Sequence, residues 1–400
     1  MAQPFLKSIQ PVNLLSFGPA TEPIELRPLN ILIGPNGSGK SNFIEVLRLL
    51  HFLPDREPWD FVAATGGASE WISKGTKGRN SQCSVRANFS LQDMDEIKPR
   101  NFDFSIDLEK YDASFRVKAE SFGTTDDEGS FAHILGSFVR SGSELQTPYR
   151  VSTGLNLGRS TLSQLASPSA QAFSVTGGHS SLFETAEFFE SFDFHQDWEF
   201  GADCPSRDPQ PVGQSVARLE GSGRNLAQML AHYRDNYKPV FEHLTKLTKR
   251  FYESAKSVEV RLIGTHLQIV IEEEGGFSTP AYRLSDGMLH WLSMLCILLN
   301  PTPAPVTCID EPELGLHPDI IPTLADLLRE ASTRTQLIVT THSSMLVDAF
   351  SDDPESVCVC EKTDGSTVVR RLSQPDLAVW LKDYSLGSLW ISGEIGGNRW

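Results

Sequence analysis

The chain has 400 residues, 40% of them hydrophobic and 22% charged, and carries a net charge of −16. That length holds one large domain or two to three smaller ones with enough apolar residue for a core. The acidic balance excludes diffuse, charge-driven binding to nucleic acid but leaves room for a local basic strip, and the absence of any run of about 18 uncharged apolar residues excludes a membrane span. At the start, MAQPFLKSIQPVNLL lacks the basic residues, apolar core and small-residue cleavage site of a secretory signal. The six cysteines are thinly spread, and Cys296 and Cys308 stand in apolar runs. That usage reads as free thiols in a reducing cytoplasm. Cys358 and Cys360 sit in an alternating run with no second Cys or His cluster nearby, which fits strand core better than metal.

The first informative element is the apolar strand Leu29–Ile33, followed by GPNGSGKS over residues 34–41 and the helical pattern SNFIEVLRLL. This is the G-x-x-x-x-G-K-S pattern in its proper context of strand, loop and helix. Gly34, Gly37 and Gly39 let backbone amides, with those of Asn36 and Ser38, curl around phosphates. Lys40 neutralises the terminal phosphates and the Ser41 hydroxyl can ligate Mg2+.

Residues 81–118 alternate (CSVRANFSL, FDFSID, SFRVKAE), which predicts strands completing a first lobe. Residues 119–180, rich in Gly, Ser and Thr, read as loops. Helices follow across 225–256 with a break at Pro239. There Lys238, Lys246, Lys249, Arg250, Lys256 and Arg261 outnumber Glu242, Glu253 and Glu259. Lys246, Lys249, Arg250 and Lys256 are either a strip facing DNA or a solvated helix face. SVEVRLIG and HLQIVIEEEGG alternate at period two and form a hairpin that returns the chain to RLSDGMLHWL, where Ser285 is a good N-cap. Asp286 and Gly287 are poor choices for helix stability alone, so the open amides of that start suit an anion.

Next, the buried strand of PVTCIDEPELGLHP delivers Asp310 and Glu311 at its carboxyl end, where ligands of open parallel sheets bind. Asp310 is placed for the Mg2+ shell, and Glu311 to orient or deprotonate an attacking water. A third apolar strand in TQLIVTTHS ends at His342, within reach of a γ-phosphate. The end of the chain supplies a hairpin turned on Asp364-Gly365, a short helix and the tail GGNRW, too little for an appended nuclease.

These motifs in this order, with LSDG ahead of the Asp-Glu strand, resemble ABC-type ATPases of the SMC/RecF group. The whole chain looks like the stand-alone predicted AAA-family ATPases of bacteria, OLD-like and RecF-like but without a Toprim domain. The resemblance implies an α/β P-loop NTPase with a mixed sheet core, an antiparallel β subdomain, and a helical lobe inserted between phosphate loop and signature. It suggests a division into 1–118 (phosphate-loop lobe), 119–280 (inserted lobe) and 281–400 (signature, Asp-Glu strand, His342 and tail). ATP and Mg2+ are the implied cofactors. Two copies are implied to close around two ATP molecules, as a homodimer or higher homo-oligomer, with Ser285 and Gly287 touching ATP held by the partner chain.

The family's first signature glycine is Asp286 here and its last polar residue Met288. Asp286, unwelcome near phosphate, is expected to point away or cap the helix. The glutamine that touches Mg2+ matches Gln164 best, with Gln82 as competitor, and His317 either crosses the dimer interface or only precedes the turn at Pro318. No heptad run fills the span between Ser41 and Ser285, which excludes long coiled-coil arms. The resemblance points to a cytoplasmic ATPase, catalysed by Glu311 and His342, acting on DNA or on a separate nuclease or effector chain in DNA repair or anti-phage defence, with no membrane partner. A transporter's nucleotide-binding subunit and an ATP-binding scaffold with little turnover are the alternatives.

Overall fold

The computed structural model describes residues 6–55, 57–74, 81–91, 100–125, 131–132, 138–146, 151–153, 156–165, 179–213 and 217–397. Its centre is a six-stranded sheet in the order Asp193–His195, Val306–Asp310, Gln336–Thr340, Leu29–Ile33, Val357–Thr363, Ser366–Arg371. The first five strands run parallel and the last pairs antiparallel. The inner strands are short and apolar because both faces are covered, as a parallel sheet requires.

Side chains alternate between those two faces. Leu29, Ile31, Ile33, Ile309, Leu337 and Val339 enter one core, packed on the helices Leu226–Asn236 and Asp286–Leu298. Leu32, Cys308, Ile338, Cys358 and Cys360 enter the other. There the helix Lys40–Phe52 is sandwiched between the parallel sheet and an antiparallel one, which explains why Phe43, Ile44, Val46, Leu47, Leu49 and Leu50 are all buried. Each such residue withdrawn from water contributes roughly 1.5–3 kcal/mol before entropy is counted. All six cysteines are buried and free, Cys358 and Cys360 as strand core.

The antiparallel sheet joins Leu6–Val12, Gln82–Leu91, Arg100–Tyr111 and Ser114–Thr125, and continues through Phe138–Ser141, Glu144–Gln146 and Val151–Thr153. This corrects two expectations. A boundary after residue 118 would cut the strand Ser114–Thr125, and the Gly- and Ser-rich stretch that follows contains a hairpin, turned at Gly142 with φ of +57°, rather than loops alone. The remainder of 119–180 falls partly outside the described residues. The helices Leu226–Asn236 and Lys238–Phe251 meet at Tyr237, with Pro239 in the first turn of the second, where its missing N–H is harmless. The hairpins Ala255–Ile263 with His266–Glu273, and Val357–Thr363 with Ser366–Arg371, form as predicted. At the turn of the latter, Asp364 and Gly365 both have positive φ, as a two-residue hairpin demands. Among the described residues no helix is long and apolar enough to cross a membrane.

Candidate functional site

Three neighbouring strand ends build the site. Leu29–Ile33 runs into residues 34–41, where Gly34, Gly37 and Gly39 have φ of +151°, +79° and +107°. A Cβ on Gly34 would strike the Cys360 carbonyl, and one on Gly39 the Thr367 hydroxyl, so the loop admits only glycine at both places. Thr367 Oγ1 donates to the Ser38 carbonyl at 2.7 Å and fixes the loop from beneath. The helix Lys40–Phe52 starts at Gly39 without a side-chain cap, leaving its first amides to serve an anion. Asn36, Gly37 and Ser41 are exposed, whereas the Ser38 hydroxyl is buried without a partner.

Lys40 folds back, its Nζ donating to the carbonyls of Gly34 (2.8 Å) and Pro35 (3.3 Å). Burial lowers its pKa, opposed by Cys360 and by the carboxylates of Glu311 and Asp310. The same group surrounds His342, whose pKa is lowered by burial and by Lys40 against the pull of Glu311 and Asp310. Lys40, Asp310, Glu311 and His342 thus form one electrostatic cluster, made by the register that pairs Asp310 with Thr340 and Thr340 with Leu32.

Asp310 ends its strand with Oδ1 accepting from the Thr340 hydroxyl. Glu311 then turns the chain into the left-handed region, at φ of +48°, while its N–H donates to Thr340 O at 3.1 Å. A non-glycine residue there costs on the order of 1–3 kcal/mol. Glu311 Oε1 lies 3.5 Å from His342 Nε2, and both side chains remain about a third exposed (36% and 37%).

Gln164 does not join this cluster. Its amide braces the loop 156–160, Oε1 accepting from Asn156 N–H and Nε2 donating to Arg159 O and Ser160 O. Gln82 pairs with Glu109 and Lys118 on the surface. The glutamine that topology brings beside Asp310 is Gln196. It follows the edge strand Asp193–His195, in which His195 lies opposite Ile309. Its Oε1 accepts from Arg48 of the phosphate-loop helix at 3.3 Å, and two residues later Trp198 Nε1 donates to Asp310 O at 2.8 Å. A three-residue strand shows no periodicity, so only its parallel pairing identifies this position. A hydroxyl, a carboxylate and an amide suit Mg2+, which takes oxygen ligands and completes its shell with water and phosphate. Among the described residues no group of three or more His, Cys, Asp or Glu stands ready for a metal by itself.

The signature start is different in kind. Ser285 is exposed, and its Oγ accepts from Met288 N–H at 3.2 Å. Asp286 points away from the helix start to Arg207 (2.5 Å) and accepts from Gly201 N–H, and the Arg207 contact lowers its pKa. Gly287 packs on the loop after Glu311, where a Cβ would come 2.6 Å from Gly315 O. His317 caps its own turn, Nδ1 accepting from Asp319 N–H at 3.4 Å. Lys246, Lys249, Arg250 and Lys256 are all exposed, on and just after the helix Lys238–Phe251, with Lys249 paired to Glu274 at 2.9 Å.

Comparison with known proteins agrees with this geometry. The family described as "AAA domain, putative AbiEii toxin, Type IV TA system" matches residues 29–348. No curated protein matches the chain in sequence. Among solved structures, an SMC head bound to the C-winged helix domain of ScpA aligns with a TM-score of 0.54 at 15% identity, over 93% of this chain and 99% of that one. An SMC head with an extended coiled coil, bound to the C-terminal domain of ScpA and derived from Pyrococcus furiosus, aligns at 0.51 and 14%, over 95% and 99%. One with a coiled coil and joint from Pyrococcus yayanosii gives 0.51 and 12%, with the same coverage. At such identities the likeness speaks for the fold, and the family match spans most of the length: the chain belongs to this AAA-domain family and has the ABC-type, SMC-head fold of a P-loop ATPase.

Proposed function

We propose that the protein hydrolyses ATP, that two copies close around two ATP molecules to do so, and that the cycle acts on DNA or controls a separate effector chain. The observation that carries this reading is the convergence of Lys40, Asp310, Glu311 and His342 at adjacent ends of parallel strands, around an uncapped helix start. Lys40 and the amides of residues 37–41 hold the phosphates. Ser41, Asp310 and Gln196 hold Mg2+, which when bound neutralises charge on the phosphate oxygens.

Glu311 orients a water and takes its proton as the water oxygen bonds to the γ-phosphorus and the bond to the bridging oxygen breaks, giving ADP and phosphate. His342, held beside Glu311, contacts the γ-phosphate. Ser285 and the Gly287 amide contact the ATP of the partner copy. Two of the SMC heads named above were solved with a domain of ScpA, which supports a role for a partner chain here, and the toxin system in the family's description suits a cytoplasmic defence context.

The test is Mg2+-dependent phosphate release by the full chain. Glu311→Gln is expected to keep ATP binding and lose roughly 10²–10³-fold in kcat, the range for removing one preorganised group that acts only in the transition state. Turnover of Glu311→Gln near the parent rate would show that another group is the base.

A further inference from the structure

The residue next but one to the catalytic carboxylate, Glu313, is half-buried and has no place in the reaction as described above. Its Oε1 accepts three hydrogen bonds from one short loop: Thr341 Oγ1 at 2.5 Å, His342 N–H at 3.0 Å and Ser343 N–H at 3.2 Å. Its Oε2 is buried with no partner. Such concentration on a single oxygen fixes a loop position far better than a surface ion pair would, because the donors include two rigid backbone amides. The residue they fix is His342, whose Nε2 stands 3.5 Å from Glu311 Oε1.

The loop that carries Glu313 is itself held by the signature helix. His290, four-hundredths exposed, donates from Nε2 to Pro312 O at 2.9 Å, since a carbonyl can only accept. One turn earlier Gly287 packs on Gly315 O, with no room for a Cβ. Trp198 closes the arrangement, its ring edge-on to His290 at 4.5 Å between centroids and its Nε1 on Asp310 O. Every link from the helix that begins at Ser285 to the pair Glu311–His342 is therefore a direct contact within one chain.

We propose that Glu313 is a positioning residue for hydrolysis: it clamps His342 beside Glu311 and ties that pair to the loop 312–315 that the signature helix holds. A displacement of the signature helix, such as the engagement of Ser285 with a partner's ATP, then reaches the catalytic pair of its own chain through Pro312, Gly315 and Glu313. This rests on the reading of the site as an ATPase shared by two copies. It adds the route by which one site of the pair reports to the other.

The test compares full-length parent, Glu313→Ala and Glu313→Gln. Glutamine keeps the accepting oxygen; alanine removes it. With Mg2+ and ATP, Glu313→Ala is expected to lose about 10- to 100-fold in kcat, as small misplacements of reacting groups do, with KM and ATP-induced dimerisation retained. Glu313→Gln is expected to restore most of the rate. The imidazole NMR resonance of His342, identified by its absence in His342→Gln, is expected to move in Glu313→Ala and stay in place in Glu313→Gln. Parent-level turnover in Glu313→Ala, a glutamine variant as slow as the alanine one, or an unmoved His342 resonance would each overturn the proposal. Should Glu313→Ala not fold, Thr341→Val removes one of the three donors with little change of shape and must still lower kcat and move the His342 resonance. A parent that binds but never hydrolyses ATP sinks the ATPase reading instead, while the resonance still decides whether Glu313 holds His342.

Discussion

Two helices begin in the same neighbourhood of the chain's chemistry and begin in opposite ways. The phosphate-loop helix starts at Gly39 with no side-chain cap, and Lys40 at its first position turns back onto the loop carbonyls. The signature helix starts at Ser285 with its own hydroxyl on Met288 N–H, and its Asp286 is drawn off to Arg207. The first start leaves its donors open to an anion within the chain. The second has its Ser285 hydroxyl already engaged, so a ligand from outside must compete for that side chain. That contrast explains why one start is surrounded by titratable groups and the other by tertiary contacts.

The largest effect should come from damage to the open start. Lys40→Ala removes a buried cation that is proposed to meet ground-state phosphate and that also ties Gly34 and Pro35 to the loop. Hydrogen bonds to charged groups are worth about 1.5–3 kcal/mol each, so losing two or more abolishes measurable ATP binding at ordinary concentrations. Calorimetric titration with ATP checks this. Retained micromolar binding would mean that the loop amides alone suffice.

The satisfied start predicts a different failure. Ser285→Arg places bulk where a partner's phosphate is to arrive, yet leaves the phosphate loop intact, so ATP binding by the monomer persists while closure and hydrolysis stop. Mixed with an excess of Lys40→Ala chains, it should regain up to one working site per heterodimer, formed by its own loop and the other chain's signature. The readout is ATPase rate against mixing ratio, with each variant alone as baseline. A mixture as inactive as its components, with heterodimers present, would break the shared-site comparison. So would an ATP-trapped Glu311→Gln sample that stays monomeric.

The open start was legible in the sequence and the satisfied one only half so. LNILI, VTCID and QLIVT are largely apolar because their strands are buried on both faces, and the candidate site residues follow at their ends. A fixed spacing such as GPNGSGKS is local chemistry and survives without knowledge of the fold. Gln196 was hidden because its strand, Asp193–His195, has three residues and its partner Val306–Asp310 is distant in sequence. The hairpin at Gly142 was hidden by a Gly- and Ser-rich composition shared with loops. Gly287 carries two readings at once, since the glycine that an approaching phosphate would need is also needed against Gly315 O. Glu313 is visible as a letter beside Glu311, but its partners at 341–343 come from the next strand end.

A pH dependence sharpens the satisfied start further. Burial lowers the pKa of His290 to about 4 from an ordinary 6.5, so the imidazole stays neutral as it donates to Pro312 O. The folded-state value is depressed, so the unfolded chain binds the proton first. Stability is full above pH 6.5 and is lost as pH falls from there towards 4, by on the order of 3 kcal/mol in total and about 2 kcal/mol at pH 5. Urea unfolding at pH 7 and pH 5 checks this against His290→Gln, which has no such group and should lose correspondingly less. Equal losses in the two proteins would place the acid sensitivity elsewhere.

The smallest effect concerns the basic helix that leans on the signature start. Phe251, its last residue, stacks on Trp291 at 5.7 Å and lies near Gly287, so whatever binds this helix sits next to the element proposed to meet the partner's ATP. Lys246, Arg250 and Lys256 are exposed, whereas Lys249 shares its charge with Glu274. If DNA is bound here, each lysine or arginine that meets a phosphate releases a counterion, and losing it flattens the dependence of log K on log salt by about one. Reversing Lys246, Arg250 and Lys256 to Glu should therefore reduce the slope by roughly three, while adding Lys249→Glu should change it by less than a further unit, because Glu274 already neutralises that side chain. Fluorescence anisotropy of a short duplex across a salt series measures the slope. A slope unchanged in the triple variant would leave Lys246 and Arg250 as a solvated helix face and Lys256 as solvated strand surface.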